Sequence, residues 1–393
     1  MVLIQSVLCG LPVHWFSLAM IPLSVIDTIR RLIINFLWQG RSTDKKYHLV
    51  NWQKICMPKR LGGWGIKNLH WFNVALSLKS AWRILCSSGL WHDILYSKYL
   101  NRTSFSDWIR NITFEAGGGS VFWRSFCANF QWIGNCLSWC IGDGKHIRIG
   151  TDPFVGDSRV FLLPSTVLGI IHNKGIWYMN QIYITNPGAA NSDHWLSAEE
   201  LGLHDLEADY WTAYIKVIKH ARIFLHNSED NMVWTGSGDG KLTAKGMYDY
   251  ILPCTMDFQL QWWQRAVWRW HVSPRIKCFC WLLLHRSLLT WDNLLRRGLT
   301  GPGWCVLCNN SHEDTDHLFV HCTFTRKVWL TLQGNFSFLS HWGSANLTEN
   351  YNSWMHAQPD RPHFPAIICW IIWKVRNLLI FEDRCTPLDH IHL

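Results

Sequence analysis

Residues 305–322 read CVLCNNSHEDTDHLFVHC, with cysteines at 305, 308 and 322 and histidines at 312, 317 and 321. Cys305 and Cys308 have the C-x2-C spacing, which lets one tight turn aim two sulfurs at a single point. After eight intervening residues comes His317, and after four more Cys322. A helical turn puts positions four or five apart near one face, so these two side chains can converge. The set Cys305, Cys308, His317 and Cys322 therefore offers three thiolates and one imidazole, a full tetrahedral shell for Zn2+. By spacing alone His312 could replace His317. His321 is a poorer ligand, because it adjoins Cys322 and neighbouring side chains diverge. The competing interpretation is two unrelated pairs of core cysteines.

Four protein ligands leave no position for water or substrate, so the spacing predicts one structural ion rather than a catalytic one. The ion would staple a small domain whose loop, 299–316, could not fold alone. Three thiolates around Zn2+ leave a charge of −1, which Arg296, Arg297, Arg326 and Lys327 bracket in sequence and can offset.

The surrounding chain has 393 residues, 48% apolar and 17% charged, enough for more than one domain and unlike a disordered composition. Its 27 tryptophans read as large amphipathic anchors of several small cores, with base-stacking platforms as the alternative where the rings are exposed. Net charge is +9 and unevenly spread. Residues 1–83 carry eleven Lys/Arg against Asp27 and Asp44, residues 160–260 are acidic, and residues 261–334 carry nine basic against four acidic groups. Two basic blocks flanking an acidic one suit a chain that touches a polyanion at two places. Fourteen cysteines, most among apolar neighbours, fit reduced thiols of an intracellular protein, nuclear or cytoplasmic. The apolar start lacks a basic leader region and is broken by Pro12, His14 and Pro22; the run AIICWIIW at 366–373 stops at Lys374. Neither a signal peptide nor a membrane span is expected.

Periodicity predicts a helix over 24–38, with Ser24 and Asp27 as a capping box, and another over 72–86. AGGGS at 116–120 is a joint without the Lys-Ser/Thr of a phosphate loop. WCIGDGKHIRIGTDPF (139–154) and NMVWTGSGDGKLTAKGMYDYI (231–251) read as hairpins around Gly-rich turns. Ser273 and Pro274 open a further helix, Thr290 caps WDNLLRR, and Gly298 ends it. TFTRKVWLTL (323–332) and PAIICWIIWKVRNLLIFE (365–382) read as the last two helices. The expected class is α+β, mainly helical. The expected segments are a helical region at 1–115, a mixed hairpin region at 120–255, a zinc-binding domain at 260–335 and a helical tail at 336–393.

Residues 267–329 hold P-x-I-K-x-F-x-W, T-x-D-N-L-x-x-R-G, the C-x2-C, DHLFVHC and a closing VW. This stretch resembles the zinc-binding domain that follows the polymerase in plant LINE-type non-LTR retrotransposon reverse transcriptases. FLWQG, the stretch from Trp52 through MPKRLGGWGI, and FNVALSLKSAWRIL resemble the region just past the polymerase palm. The resemblance covers nearly the whole chain, in family order.

It implies a polymerase palm before residue 1 and often an RNase H domain after the last helix. The polymerase needs an Asp-Asp pair for its two metals, and this sequence contains no Asp-Asp dipeptide. The expectation is a truncated fragment, non-catalytic and zinc-stapled, that binds RNA or DNA non-specifically through phosphate contacts. Arg30, Arg31, Lys45, Lys46, Lys59, Arg60, Arg296, Arg297, Arg326 and Lys327 are the candidate contacts. The alternatives are a structural or protein-interaction module, and part of an active RNA-directed DNA polymerase whose palm lies upstream.

Overall fold

A computed structural model describes residues 3–39, 47–100, 103–110, 119–134, 136–154, 162–184, 194–255, 261–335, 342–343 and 346–384. Helices dominate, as the mainly helical α+β class requires. In chain order they begin with α1 (Val13–Leu18), α2 (Leu23–Gln39), α3 (Trp52–Cys56), α4 (Leu69–Leu85), α5 (Leu90–Tyr99), α6 (Phe105–Arg110), α7 (Val121–Asn129) and α8 (Gln131–Gly134). The series continues with α9 (Ser165–Asn173), α10 (Asp205–His220), α11 (Ala244–Cys254), α12 (Trp262–Arg269), α13 (Pro274–Leu284) and α14 (Trp291–Arg296). It ends with α15 (Thr323–Asn335), α16 (Leu347–Ala357) and α17 (Phe364–Glu382). The strands are β1 (Leu137–Cys140), β2 (Tyr183–Ile184), β3 (His194–Trp195) and β4 (Asn231–Trp234).

The chain divides into two compact units. One comprises residues 11–26 and 69–257 and the other residues 1–10, 27–68 and 258–393. Segment 1–115 thus contributes to both.

In the first unit α4 is buried nearly all round, from Leu69 and Phe72 to Trp82 and Leu85, as befits a core helix. It packs against α1, α7 and α11. Its fully buried Asn73 accepts the Ile21 N–H at 2.8 Å and donates to the Phe16 and Ala19 carbonyls at 2.9 and 2.8 Å, closing the backbone where α1 ends. A second core gathers Trp139, Phe154, Trp195, Trp211 and Tyr214 with aliphatic residues of α9 and α10.

Strand pairing here is not the local pairing expected of the two Gly-rich stretches. β1 pairs antiparallel with β4, Leu137 opposite Trp234 and Cys140 opposite Asn231, about ninety residues away. The turn after β1 instead wraps a carboxylate: Asp230 accepts from the backbone N–H groups of Gly142, Gly144 and His146 at 2.7, 3.0 and 2.9 Å. After β4 the chain turns at Gly240, whose carbonyl accepts the Trp234 N–H, and enters α11 with Thr243 as N-cap. A buried ion that needs three amide donors outweighs a two-residue turn in setting this path.

α2 also starts one residue earlier than expected. The Pro22 carbonyl accepts the Val25 and Ile26 N–H groups, so Ser24 lies inside the first turn instead of capping it.

In the second unit α13 and α17 pack together, Phe279 meeting Trp370 at 5.1 Å between ring centres. Trp281 packs on Trp64 at 5.5 Å and donates its indole N–H to the Gly62 carbonyl. Gly62 has φ +84°, and a Cβ there would lie 2.4 Å from that of Gln264, so only glycine fits. The cysteines described are all free thiols. α17 has the length and composition to cross a membrane, with a mean hydropathy of 1.6. Its Ile368, Cys369 and Ile372 are nonetheless buried in the protein, and its Arg376 is ion-paired there.

Candidate metal centre

The loop after α14 returns as a short antiparallel contact, Trp304 against His312. Cys305 donates its N–H to the Ser311 carbonyl at 2.9 Å, and its own carbonyl accepts the Asn309 N–H at 2.8 Å. Asn309 takes φ +52°, which closes the turn that carries Cys308 back over Cys305. Residues 317–321 then form a single wide helical turn, in which the Cys322 N–H reaches the His317 carbonyl at 2.6 Å. This turn places His317 beside Cys322. α15 starts at Thr323, directly behind the last cysteine.

The result is one cluster. The ligand atoms of Cys305, Cys308, His317 and Cys322 all lie within 4.8 Å of one another, Cys305 and Cys322 buried and the other two half-buried. The Cys305 and Cys322 sulfurs are 3.8 Å apart, too far for a disulfide. Cys308 Sγ is 3.3 Å from His317 Nε2. A tetrahedral Zn2+ with ordinary bond lengths sets its sulfurs about 3.8 Å apart and sulfur and nitrogen about 3.5 Å apart, so both separations fit. His312 is exposed and stacks on Trp304 with 4.8 Å between ring centres, outside the cluster.

The electrostatics favour thiolate at Cys322 and the neutral thiol at Cys305, whose pKa the Cys322 contact and burial push well above its ordinary value. The neighbouring Cys305 sulfur holds the Cys322 thiol down to about 4, and the His317 imidazole adds to that pull. Cys322 first, and Cys308 after it, raise the His317 imidazole above its ordinary value against the opposing effect of burial. Backbone N–H groups of Leu307 and Cys308 face the Cys305 sulfur, and those of Phe324 and Thr325 face the Cys322 sulfur. Amide dipoles aimed at sulfur stabilise the ionised ligand.

Sequence reasoning missed the pair that fastens this loop to the helices. Glu313, four residues before His317, is fully buried and meets Arg376 of α17 as a fork: Nη2 to Oε1 at 2.6 Å and Nε to Oε2 at 3.2 Å. Glu313 Oε1 also accepts the Trp291 N–H at the start of α14, at 3.0 Å. Its backbone N–H donates to the Gly303 carbonyl and its carbonyl accepts from Asp292. A pair of cations, Lys374 and Arg376, on an otherwise apolar helix was the available signal for Arg376. Nothing in SHEDTDH singled out Glu313 among its acidic neighbours.

The candidate phosphate contacts that are described lie in the unit that holds the cluster. Arg30 pairs with Asp27 at 3.1 Å, and exposed Arg31 donates to Thr28. Lys59 and Arg60 are exposed, with the Lys59 ammonium 5.3 Å from the Trp268 ring centre. Arg296 pairs with Asp292 at 3.0 Å. Arg297 donates to the His48 and Leu49 carbonyls, which ties it to the backbone. Arg326 and Lys327 are exposed on α15. Lys45 and Lys46 lie outside the described residues.

Residues 243–329, which contain all four clustered side chains, match the family described as zinc-binding in reverse transcriptase. The segment is similar to the zinc-binding domain of reverse transcriptases. Beyond this domain, 99% of the chain aligns over 407 residues at 26% identity with an Arabidopsis thaliana protein named "Putative ribonuclease H protein". The chain spans 61% of that relative's length. An uncharacterized mitochondrial protein of Arabidopsis thaliana is 29% identical over 153 residues, 38% of this chain and 94% of the relative.

Proposed function

We propose that this chain is the non-catalytic, nucleic-acid-binding part of a plant LINE-type retrotransposon reverse transcriptase, stapled by one Zn2+ on Cys305, Cys308, His317 and Cys322. The observation that carries the reading is the convergence of those four ligand atoms inside the matched domain. The ion supplies folding energy to the 299–316 loop; four protein donors close its shell, so no substrate reaches it. The missing Asp-Asp dipeptide supports a role without polymerase chemistry of its own. RNA or DNA is held through phosphates by Lys and Arg in the nucleus or cytoplasm, with no base preference. If the full gene product also carries a palm, the chain works as one part of an RNA-directed DNA polymerase.

Zinc content of the purified chain, before and after Cys305→Ser, and anisotropy titrations of labelled RNA and DNA at several salt concentrations test this reading. One zinc per chain, lost in the variant, and binding that weakens steeply with salt are expected. Metal-free protein, or no binding at ~50 mM salt, overturns it.

A specific observation supports a protein partner as well. Leu11, Trp15, Leu18 and Leu23, around α1, are 72%, 69%, 60% and 61% exposed. Apolar side chains this close in sequence and this open suit a protein surface that covers them, such as the polymerase palm of an intact relative.

A further inference from the structure

The second unit holds two segments without a single carboxylate. Residues 47–68 and 261–291 contain no Asp or Glu, yet carry Lys54, Lys59, Arg60, Lys67, Arg265, Arg269, Arg275, Lys277 and Arg286. The fold brings parts of the two together: the turn Lys59–Leu61 packs on α12.

α12 is sharply two-sided. Trp263, Gln264 and Val267 are buried, while Trp262, Arg265 and Arg269 are exposed, at spacings of three and four residues that put them on one face. Trp268 lies at the flank of that face. Lys59 sits over its ring at 5.3 Å, and Lys277 Nζ donates to its carbonyl at 3.2 Å. Gly62 abuts Gln264 on the same flank, so the exposed Lys59 and Arg60 border the Arg265–Arg269 face. At the N-terminal end of this basic stripe, Trp262 is 39% exposed.

We infer that the outer face of α12 and the adjoining Lys59–Arg60 turn form a binding surface for single-stranded nucleic acid. Arg265, Arg269, Lys59 and Arg60 contact the phosphates, and Trp262 offers a ring on which a base stacks. The inference deepens the nucleic-acid reading above and rests on it. Charge of one sign with an exposed aromatic at its edge fits a flexible polyanion whose bases are free to stack. A duplex satisfies the charges but keeps its bases inside, so it cannot use Trp262. Only Lys59 and Arg60 were legible as contacts in the sequence. Trp262, Arg265 and Arg269 emerge from the helix orientation.

The test uses the full zinc-loaded chain and fluorescein-labelled 20-mers: single-stranded RNA, single-stranded DNA and duplex DNA, titrated at several salt concentrations. Arg265→Gln with Arg269→Gln should reduce the log–log salt slope on single strands by about 1.4. Trp262→Ala should weaken single-strand binding roughly tenfold and leave the duplex unchanged. RNA and DNA single strands should behave alike, since phosphates and ring faces are common to both. Arg296→Gln with Lys327→Gln is the comparison pair, and zinc content with circular dichroism confirms folding. Wild-type slope and affinity in the Arg265/Arg269 double variant, with loss confined to the comparison pair, overturns the α12 surface and leaves nucleic-acid binding standing. So does equal competition by polyglutamate, or an unchanged single-strand affinity in Trp262→Ala. A wild-type chain that binds no strand at ~50 mM salt removes the broader reading together with this one.

Discussion

Glu313→Gln is the substitution with the largest expected effect outside the metal ligands. It is nearly isosteric, but it leaves the Arg376 guanidinium, 3% exposed, without a counter-charge in the core. Breaking one partner of such a pair costs about 3–5 kcal/mol. That is a large share of the ~5–15 kcal/mol by which a folded domain exceeds its unfolded chain. Replacing both partners, Glu313→Leu with Arg376→Met, removes the uncompensated charge and leaves the Trp291 N–H without its acceptor and the Asn377 Oδ1 without its Arg376 donor, a loss of about 1–2 kcal/mol. The double variant should therefore be more stable than Glu313→Gln alone, by about 2 kcal/mol. The assay is urea titration of the zinc-loaded chain with zinc release followed by a chromogenic chelator, a readout local to the loop that holds Glu313 and His317. With a urea slope of ~2 kcal/mol/M, Glu313→Gln should lower the release midpoint by about 1.5–2.5 M. A shift below ~0.5 M, or a double variant as damaged as the single, would refute the claim that this pair anchors the loop.

Three further outcomes follow from other residues. Asn73→Leu removes one buried and two part-buried hydrogen bonds at the end of α1 and should cost about 2–4 kcal/mol, with faster hydrogen exchange at Ile21 in place of global loss of the zinc loop. Burial of the ring of half-buried His285 between Trp263 and Trp281, helped by the nearby Lys54 charge, holds its imidazole down to about 4. Its folded value is below the unfolded one, so its contribution is whole above pH ~6.5 and is lost as pH falls toward about 4. His285→Phe should therefore flatten the acid limb relative to wild type by on the order of 3 kcal/mol; parallel acid limbs would count against it. Finally, chelator treatment should open the 299–316 loop to proteolysis while the β1–β4 pair keeps its exchange protection, and loss of both together would show that the ion holds more than its own loop.

Much of the helical layout was legible because it depends on local signals. Pro274 and Gly298 sit where helix starts and stops want them, and α2 and α4 lie within a few residues of their periodic patterns. The four clustered side chains were legible for the same reason: C-x2-C and H-x4-C each need only one turn of chain. What could not be read is non-local. β1 and β4 each look like half of a hairpin, and nothing in either segment says that the partner is the other. The carboxylate of Asp230 decides that, by collecting the amides that a hairpin would have paired. Glu313 and Arg376, 63 residues apart, are a pair of the same sort.

These two kinds of contact divide the work of holding the zinc loop. A Zn2+ held by the four clustered side chains would fix the loop to itself, since both ends of 305–322 meet at one point, but it would say nothing about where the loop sits on the helices. Arg376 supplies that. It points a rigid fork from α17 at Glu313, whose Oε1 also takes the first N–H of α14, so three elements are registered through one carboxylate. A hydrophobic contact would bind the loop as tightly but would tolerate sliding. A buried fork does not, because any displacement strands a charge. The expected signature is separable: losing the metal should loosen the loop internally, whereas losing the fork should leave the ligand geometry intact and release the loop from α14 and α17. Zinc-edge X-ray absorption of Glu313→Gln, showing three sulfurs and one nitrogen at unchanged distances in a destabilised protein, is the observation this division demands. An altered first shell would mean that the fork shapes the metal site itself.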